Sequence, residues 1–144
     1  MIQTAILHRA MSPEDVEIVR EALVRFNQDF NADEPDLSRF SPDVVIDNSN
    51  AMFEGSVYHG HQGVREWLSW TRGMWKRQEI QGRDFIPAGE DQVLVPVRLV
   101  SVGRDEVEVV AHLAVVMSVR DGKITHLKTF QSRSDAVEAV RLRG

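Results

Sequence analysis

The chain has 144 residues, 42% hydrophobic and 27% charged, with a formal net charge of −5 and no cysteine. That length suits one domain able to bury a core without metal or disulfide staples. The acidic balance argues against nucleic-acid and anionic-membrane partners, which need a basic face. The missing cysteine removes disulfides, thiolate catalysis and zinc–thiolate sites, and it suits a cytoplasmic location.

Residues 1–11 hold a short apolar patch, Ala5-Ile6-Leu7, followed by His8 and Arg9. This is too short for a secretory signal core and reads as an N-terminal arm before one domain over 12–144. No run approaches the roughly 20 apolar residues of a membrane span.

Ser12-Pro13-Glu14-Asp15 is a helix start: a capping hydroxyl, a proline suited to the first position, and acids at the positive end of the dipole. Val16, Val19, Leu23, Phe26 and Phe30 follow at helical spacing. Asn31 to Pro35 reads as a loop, Leu37 and Phe40 as one helical turn, and Ser41-Pro42-Asp43 as a turn before a strand from Val44. After a polar stretch from Asn48 to Ser56 comes a short strand over Tyr58–Gly60. A second helix runs from Val64 to Arg77 and carries all three tryptophans, Trp67, Trp70 and Trp75.

The second half is rich in β-branched residues. Strands are expected over Ile80–Pro87, Gln92–Val102, Val107–Arg120 and Ile124–Gln131, with a last short helix from Ser132 or Ser134 to Arg141. Asp121-Gly122 between two apolar runs is a strong hairpin signal. Segregated helices and a mainly antiparallel meander mean an α+β fold.

Ser12 to Asp15, Arg25-Phe26-Asn27, the run Ser41 to Asp47, the run Tyr58 to Trp67, and Arg120 to Ile124 together resemble the SnoaL-like, ketosteroid-isomerase-like branch of the nuclear-transport-factor-like superfamily. The resemblance covers about Ser12 to Leu142. It implies a curved sheet wrapped by about three helices into a cone-shaped half-barrel with an internal pocket. It also implies a homodimer through the outer sheet face. Family members include polyketide cyclases, ketosteroid isomerases and epoxide hydrolases, so the fold alone does not supply a function.

Alternation assigns the walls of that pocket. Residues two apart on a strand share a face. Val107, Val109, Ala111, Leu113, Val115, Met117 and Val119 form a wholly apolar face, expected inward. His112 falls on the opposite face, at the dimer interface, unless a bulge flips it into the pocket. On the last strand Leu127, Thr129 and Gln131 share the less charged face, which brings Gln131 to the mouth.

Asp47 and Asn48 are the acid and amide on the first strand. Matching the Asp43 to Ile46 run to the isomerases places their carboxylate base at Asn48; a slip of one residue places it at Asp47. A carboxylate in an apolar pocket has a raised pKa and moves protons near neutrality, which makes Asp47 the candidate catalytic group. The isomerases' oxyanion-donating acid corresponds to Val115, so steroid isomerisation by that route is not expected.

Asn48, Tyr58, Trp67, Trp70, Val115, Met117 and Gln131 are the candidate binding residues, the aromatics offering apolar area with a polar tip. No metal site, phosphate loop, nucleophile elbow or dinucleotide motif is present in the sequence, and no cofactor is expected. The expectation is a hydrophobic small molecule in an apolar pocket, handled by cofactor-free acid/base chemistry (isomerase, cyclase or hydrolase). The alternative is non-catalytic ligand binding or a dimeric structural module.

Overall fold

The computed structural model describes residues 12–50, 56–89 and 91–143, so the expected arm over 1–11 lies outside the described residues. In chain order the elements are α1 (Pro13–Asp29), β1 (Phe40–Asp47), β2 (Val57–His59), α2 (Gly60–Met74), β3 (Arg77–Gly82), β4 (Ile86–Ala88), β5 (Gln92–Val102), β6 (Glu108–Arg120), β7 (Lys123–Phe130) and α3 (Arg133–Arg143). The seven strands form one sheet in the order β2-β1-β7-β6-β5-β3, with β4 paired to β5. All pairings are antiparallel except β1 with β7. This is the expected α+β half-barrel. No helix of the described residues is long and apolar enough to cross a membrane.

Local chemistry sets the elements. Ser12 caps α1, its Oγ accepting from the Asp15 N–H at 3.1 Å, and Pro13 occupies the first turn. Asp121 and Gly122 take φ of 54° and 76° and join β6 to β7 as a tight hairpin. The C-terminal part of α1 is fastened to β3 by a two-point bond. Asn27 Nδ2 donates to the Ile80 carbonyl at 3.0 Å, and the Ile80 N–H donates to Asn27 Oδ1 at 2.8 Å.

Several boundaries differ from the sequence expectation. Ser41-Pro42-Asp43 is part of β1 rather than a turn; the irregularity it creates appears as a register shift against β7 between Phe40 and Val45. The Leu37–Phe40 turn is a single hydrogen-bonded loop, Phe40 N–H to Leu37 O at 3.0 Å, not a helix. Helix α2 starts at Gly60 and stops at Met74, where Trp75 turns extended. The strand expected over Ile80–Pro87 is two strands, β3 and β4, because the chain leaves the sheet over residues 83–85. There Phe85 turns back to lie under the Arg20 guanidinium, 4.3 Å from its ring centre.

The main core lies between the sheet's inner face and the helices. Val19 of α1, Val64 of α2, Ile46 of β1, Val95 of β5, Met117 of β6 and Ile124 of β7 are all essentially inaccessible. A second, smaller core forms on the outer face, where Ala136 of α3 meets Leu94, Ala114, Val116 and Phe130. Alternation on β6 thus holds as expected: Leu113, Val115 and Met117 face in, whereas His112 is exposed on the outer face opposite Arg98. No register shift adjoins His112 to turn it inward; the β6–β7 shift falls between Ser118 and Val119.

Two glycines of α2 give opposite expectations. A Cβ on Gly63 would sit 2.9 Å from the Tyr58 backbone carbon, whereas one on Gly73 would meet nothing within 4 Å. Gly63→Ala is therefore expected to lower stability by about 1–3 kcal/mol through overpacking. Gly73→Ala is expected to raise it by up to about 1 kcal/mol through helix propensity. Urea denaturation of both variants checks the pair.

Candidate functional site

The helices and the inner face of the sheet enclose a cavity of about 170 Å³. Its floor is the apolar face of β6, with Val109, Ala111, Leu113, Val115 and Met117 all reaching it. Its helical side carries Phe26 and Trp67, whose ring centres are 5.6 Å apart. Trp70 and Trp75 extend this aromatic wall towards the opening.

Two polar pairs stand on the wall among the described residues. Thr129 Oγ1 donates to Asn48 Oδ1 at 2.9 Å, and both residues are buried on the cavity wall. Asn48 follows β1 directly and is held by its backbone N–H to the Ser56 carbonyl at 2.9 Å. Because Thr129 occupies the amide oxygen, the amide nitrogen is left with two N–H donors and no partner among the described residues. At the other end Gln78 Nε2 donates to Ser101 Oγ at 2.9 Å. The Thr71 hydroxyl is satisfied within its own helix, donating to the Leu68 carbonyl at 2.8 Å.

Among the described lining residues the ionisable ones are Arg25, Asp29 and Asp36. Arg25 and Asp36 are exposed and pair at 3.5 Å, and the Asp36 N–H donates to Asp29 Oδ2 at 2.9 Å. Hydrogen bonds from Ser38 and the nearby guanidinium of Arg25 hold the Asp36 carboxyl below the usual range. Arg72 Nη1 donates to the Ala32 carbonyl, tying the acidic loop to α2.

The expected site residues separate accordingly. Asn48, Trp67, Trp70, Val115 and Met117 line the cavity. Asp47 is not among the lining residues; of the two alternatives on the first strand, Asn48 is the one on the wall. One residue from Asn48, Asp47 faces the other way, accepting from the Ser49 hydroxyl at 2.6 Å and the Ser49 N–H at 3.0 Å, with Lys128 Nζ 3.5 Å away. Partial burial pushes its pKa up, but the Ser49 hydrogen bonds and the Lys128 charge outweigh this and hold it below 3.8. A carboxyl so stabilised as an anion is a poor proton acceptor near neutrality.

Tyr58 is also off the cavity wall. It lies on β2 opposite Ile46 and packs against the core close to Gly63. Gln131 is exposed and away from the cavity, because β7 ends at Phe130 and the chain turns there into α3. Conversely, Gln78, Ser101 and Trp75 were not picked out from sequence. Ser101 was legible in principle: it shares inward parity with Val97 and Leu99 on β5, and a polar residue on an apolar face is the signal. Among the described residues no group of three or more His, Asp or Glu could hold a metal ion.

The Asp47 environment has a measurable consequence. A carboxylate whose pKa is depressed by folding stabilises the fold above its ordinary pKa, and this is lost as pH falls through the lowered value. Asp47→Asn should therefore reduce stability by a constant amount above pH 3.8, with the difference from the parent fading below it. Thermal melts across pH 2–7 check this.

A model of the SnoaL-like domain matches residues 23–127. No curated protein sequence matches significantly. Among solved structures, TerC co-crystallised with polyporic acid superposes with a TM-score of 0.70 at 20% identity, covering 89% of this chain and 98% of that one. A protein with a ketosteroid isomerase-like fold from Catenulispora acidiphila, in complex with trimethylamine, gives 0.66 at 17% identity over 86% of this chain and 89% of the other. An LEH-like epoxide hydrolase from M. tuberculosis gives 0.64 at 21% identity over 91% of each chain. At such identities the structures share the fold alone, while the domain model spans most of the sequence. With an inward apolar sheet face, helices closing over it and this match, the chain belongs to the SnoaL-like domain family.

Proposed function

We propose that this protein binds a hydrophobic small molecule in the cone cavity and that Asn48 orients it through an acceptor oxygen. The observation carrying this reading is Asn48: a buried residue on the wall of an apolar space, its amide oxygen taken by Thr129 and its amide N–H groups left free for a ligand. A ligand carbonyl, ether or hydroxyl oxygen would accept from these N–H groups, a net gain of about 0.5–1.5 kcal/mol for one hydrogen bond. Apolar cavities of about 150 Å³ already take up small organic molecules. TerC, co-crystallised with polyporic acid, supports an organic ligand in this fold.

Binding is the reading favoured over acid/base catalysis by Asp47. Among the described residues the cavity's ionisable lining consists of Arg25, Asp29 and Asp36, and Asn48 can orient but not abstract a proton. Trp67, Trp70 and Trp75 make the site self-reporting. Titration with cyclohexanone and with cyclohexane should perturb tryptophan emission, the ketone binding more tightly. Asn48→Leu should weaken the ketone about tenfold, as expected for loss of one hydrogen bond, and spare the hydrocarbon. Equal loss for both probes would remove Asn48 from the binding role. Asp47→Asn should leave both affinities unchanged.

We also propose that two copies associate through the outer sheet face. Helix α3 covers one part of it; Val110, half-buried Val100 and the Arg98–His112 pair remain on the uncovered part. Val110 is 39% exposed. Sedimentation velocity should give a dimer for the parent and a monomer for Val110→Lys; a monomeric parent would exclude this interface.

A further inference from the structure

We propose, on the reading that the cavity is a binding site, that its occupant is an extended aliphatic chain with an oxygen function near each end rather than a compact fused-ring molecule. Length and volume carry the first half of this. Residues of β6 line the cavity from Val109 to Met117, about 26 Å of strand, whereas a sphere of 170 Å³ would be about 7 Å across. On the helical side α2 contributes from Val64 to Thr71, about 10 Å of axis. So little volume along so long a wall makes the space slender. The contact between Phe26 and Trp67 bridges α1 and α2 across its helical side and keeps it narrow.

The distribution of polar groups carries the second half. Thr129, the partner of Asn48, pairs with Val115 of β6; Ser101, the partner of Gln78, pairs with Val109. The two polar pairs therefore stand six residues apart along β6, about 20 Å. Between them the inner face presents Leu113, Ala111 and Leu99.

Each end has unused hydrogen-bonding capacity among the described residues. The Asn48 amide offers two N–H groups. At the other end the Ser101 hydroxyl accepts from Gln78 but donates to nothing, and Gln78 Oε1 accepts nothing. An oxygen acceptor at the Asn48 end and a hydroxyl or similar group at the Ser101 end match these donors and acceptors. The methylenes between them match the apolar wall.

The test compares decan-2-one with camphor, two ketones of equal carbon number, by quenching of tryptophan emission. The expected result is at least tenfold tighter binding of decan-2-one, with affinity rising about fourfold per methylene from hexan-2-one to dodecan-2-one. Camphor binding as tightly as decan-2-one, or more so, would overturn the chain-like occupant while leaving the cavity a binding site. Binding of neither would remove both readings.

The far end is tested with 12-hydroxydodecan-2-one, which should bind about fivefold tighter than dodecan-2-one. Ser101→Ala should abolish that gain, so that 12-hydroxydodecan-2-one and dodecan-2-one bind the variant equally, with its circular dichroism spectrum reporting an intact fold. A gain that survives Ser101→Ala would overturn the second polar contact.

Discussion

The two-residue alternation of β6 is the constraint on which the rest depends. This strand pairs along its length with β5 and over its second half with β7, so its side-chain directions are passed to both neighbours. An apolar residue at every second position, from Val109 to Val119, gives the sheet one face that must be covered. α1 and α2 cover it, but not completely. Near Val119, Ile124 and Val95 the packing is solid, while towards Val109 the walls diverge into the cavity. The closed end supplies the stability and the open end the space.

The same alternation separates two neighbouring polar residues into different physical settings. Asp47 and Asn48 are adjacent, so their side chains point to opposite sides. Asp47 reaches Ser49 and Lys128 and remains anionic at low cost. Asn48 enters the apolar interior, where a charge would be expensive but a neutral amide is tolerable once Thr129 satisfies its oxygen. The arrangement places a neutral hydrogen-bond donor, not a base, against anything held inside. That contrast underlies the proposal of recognition rather than proton transfer.

The outer face carries a parallel lesson. Phe130, Val116, Ala114 and Leu94 have outward parity yet are buried, because α3 returns across them. The charge on His126 and Lys128 marked that face of β7 as exterior, and in part it is. Helix α3 also explains Gln131: continuing the β7 alternation by one more residue assumed a strand that the turn into α3 has already ended.

Composition and periodicity by themselves determined much of this protein. The α+β class, the capped first helix, the Asp121-Gly122 hairpin, the inward face of β6 and the outward position of His112 all follow from local spacing and turn chemistry. So does the presence of Trp67 and Trp70 on a helix over the sheet. What only tertiary structure decided depends on register and on where elements stop. The parity of Asp47 against Asn48 hangs on a strand that contains Pro42 and an irregular step against β7, which no period of two can anticipate. The pairing of Gln78 with Ser101 joins strands separated by β4 and a break in the sheet. The position of Tyr58 in the core rather than the cavity depends on how closely β2 approaches Gly63. These are contacts between distant segments, and a local pattern carries no information about the distance between them.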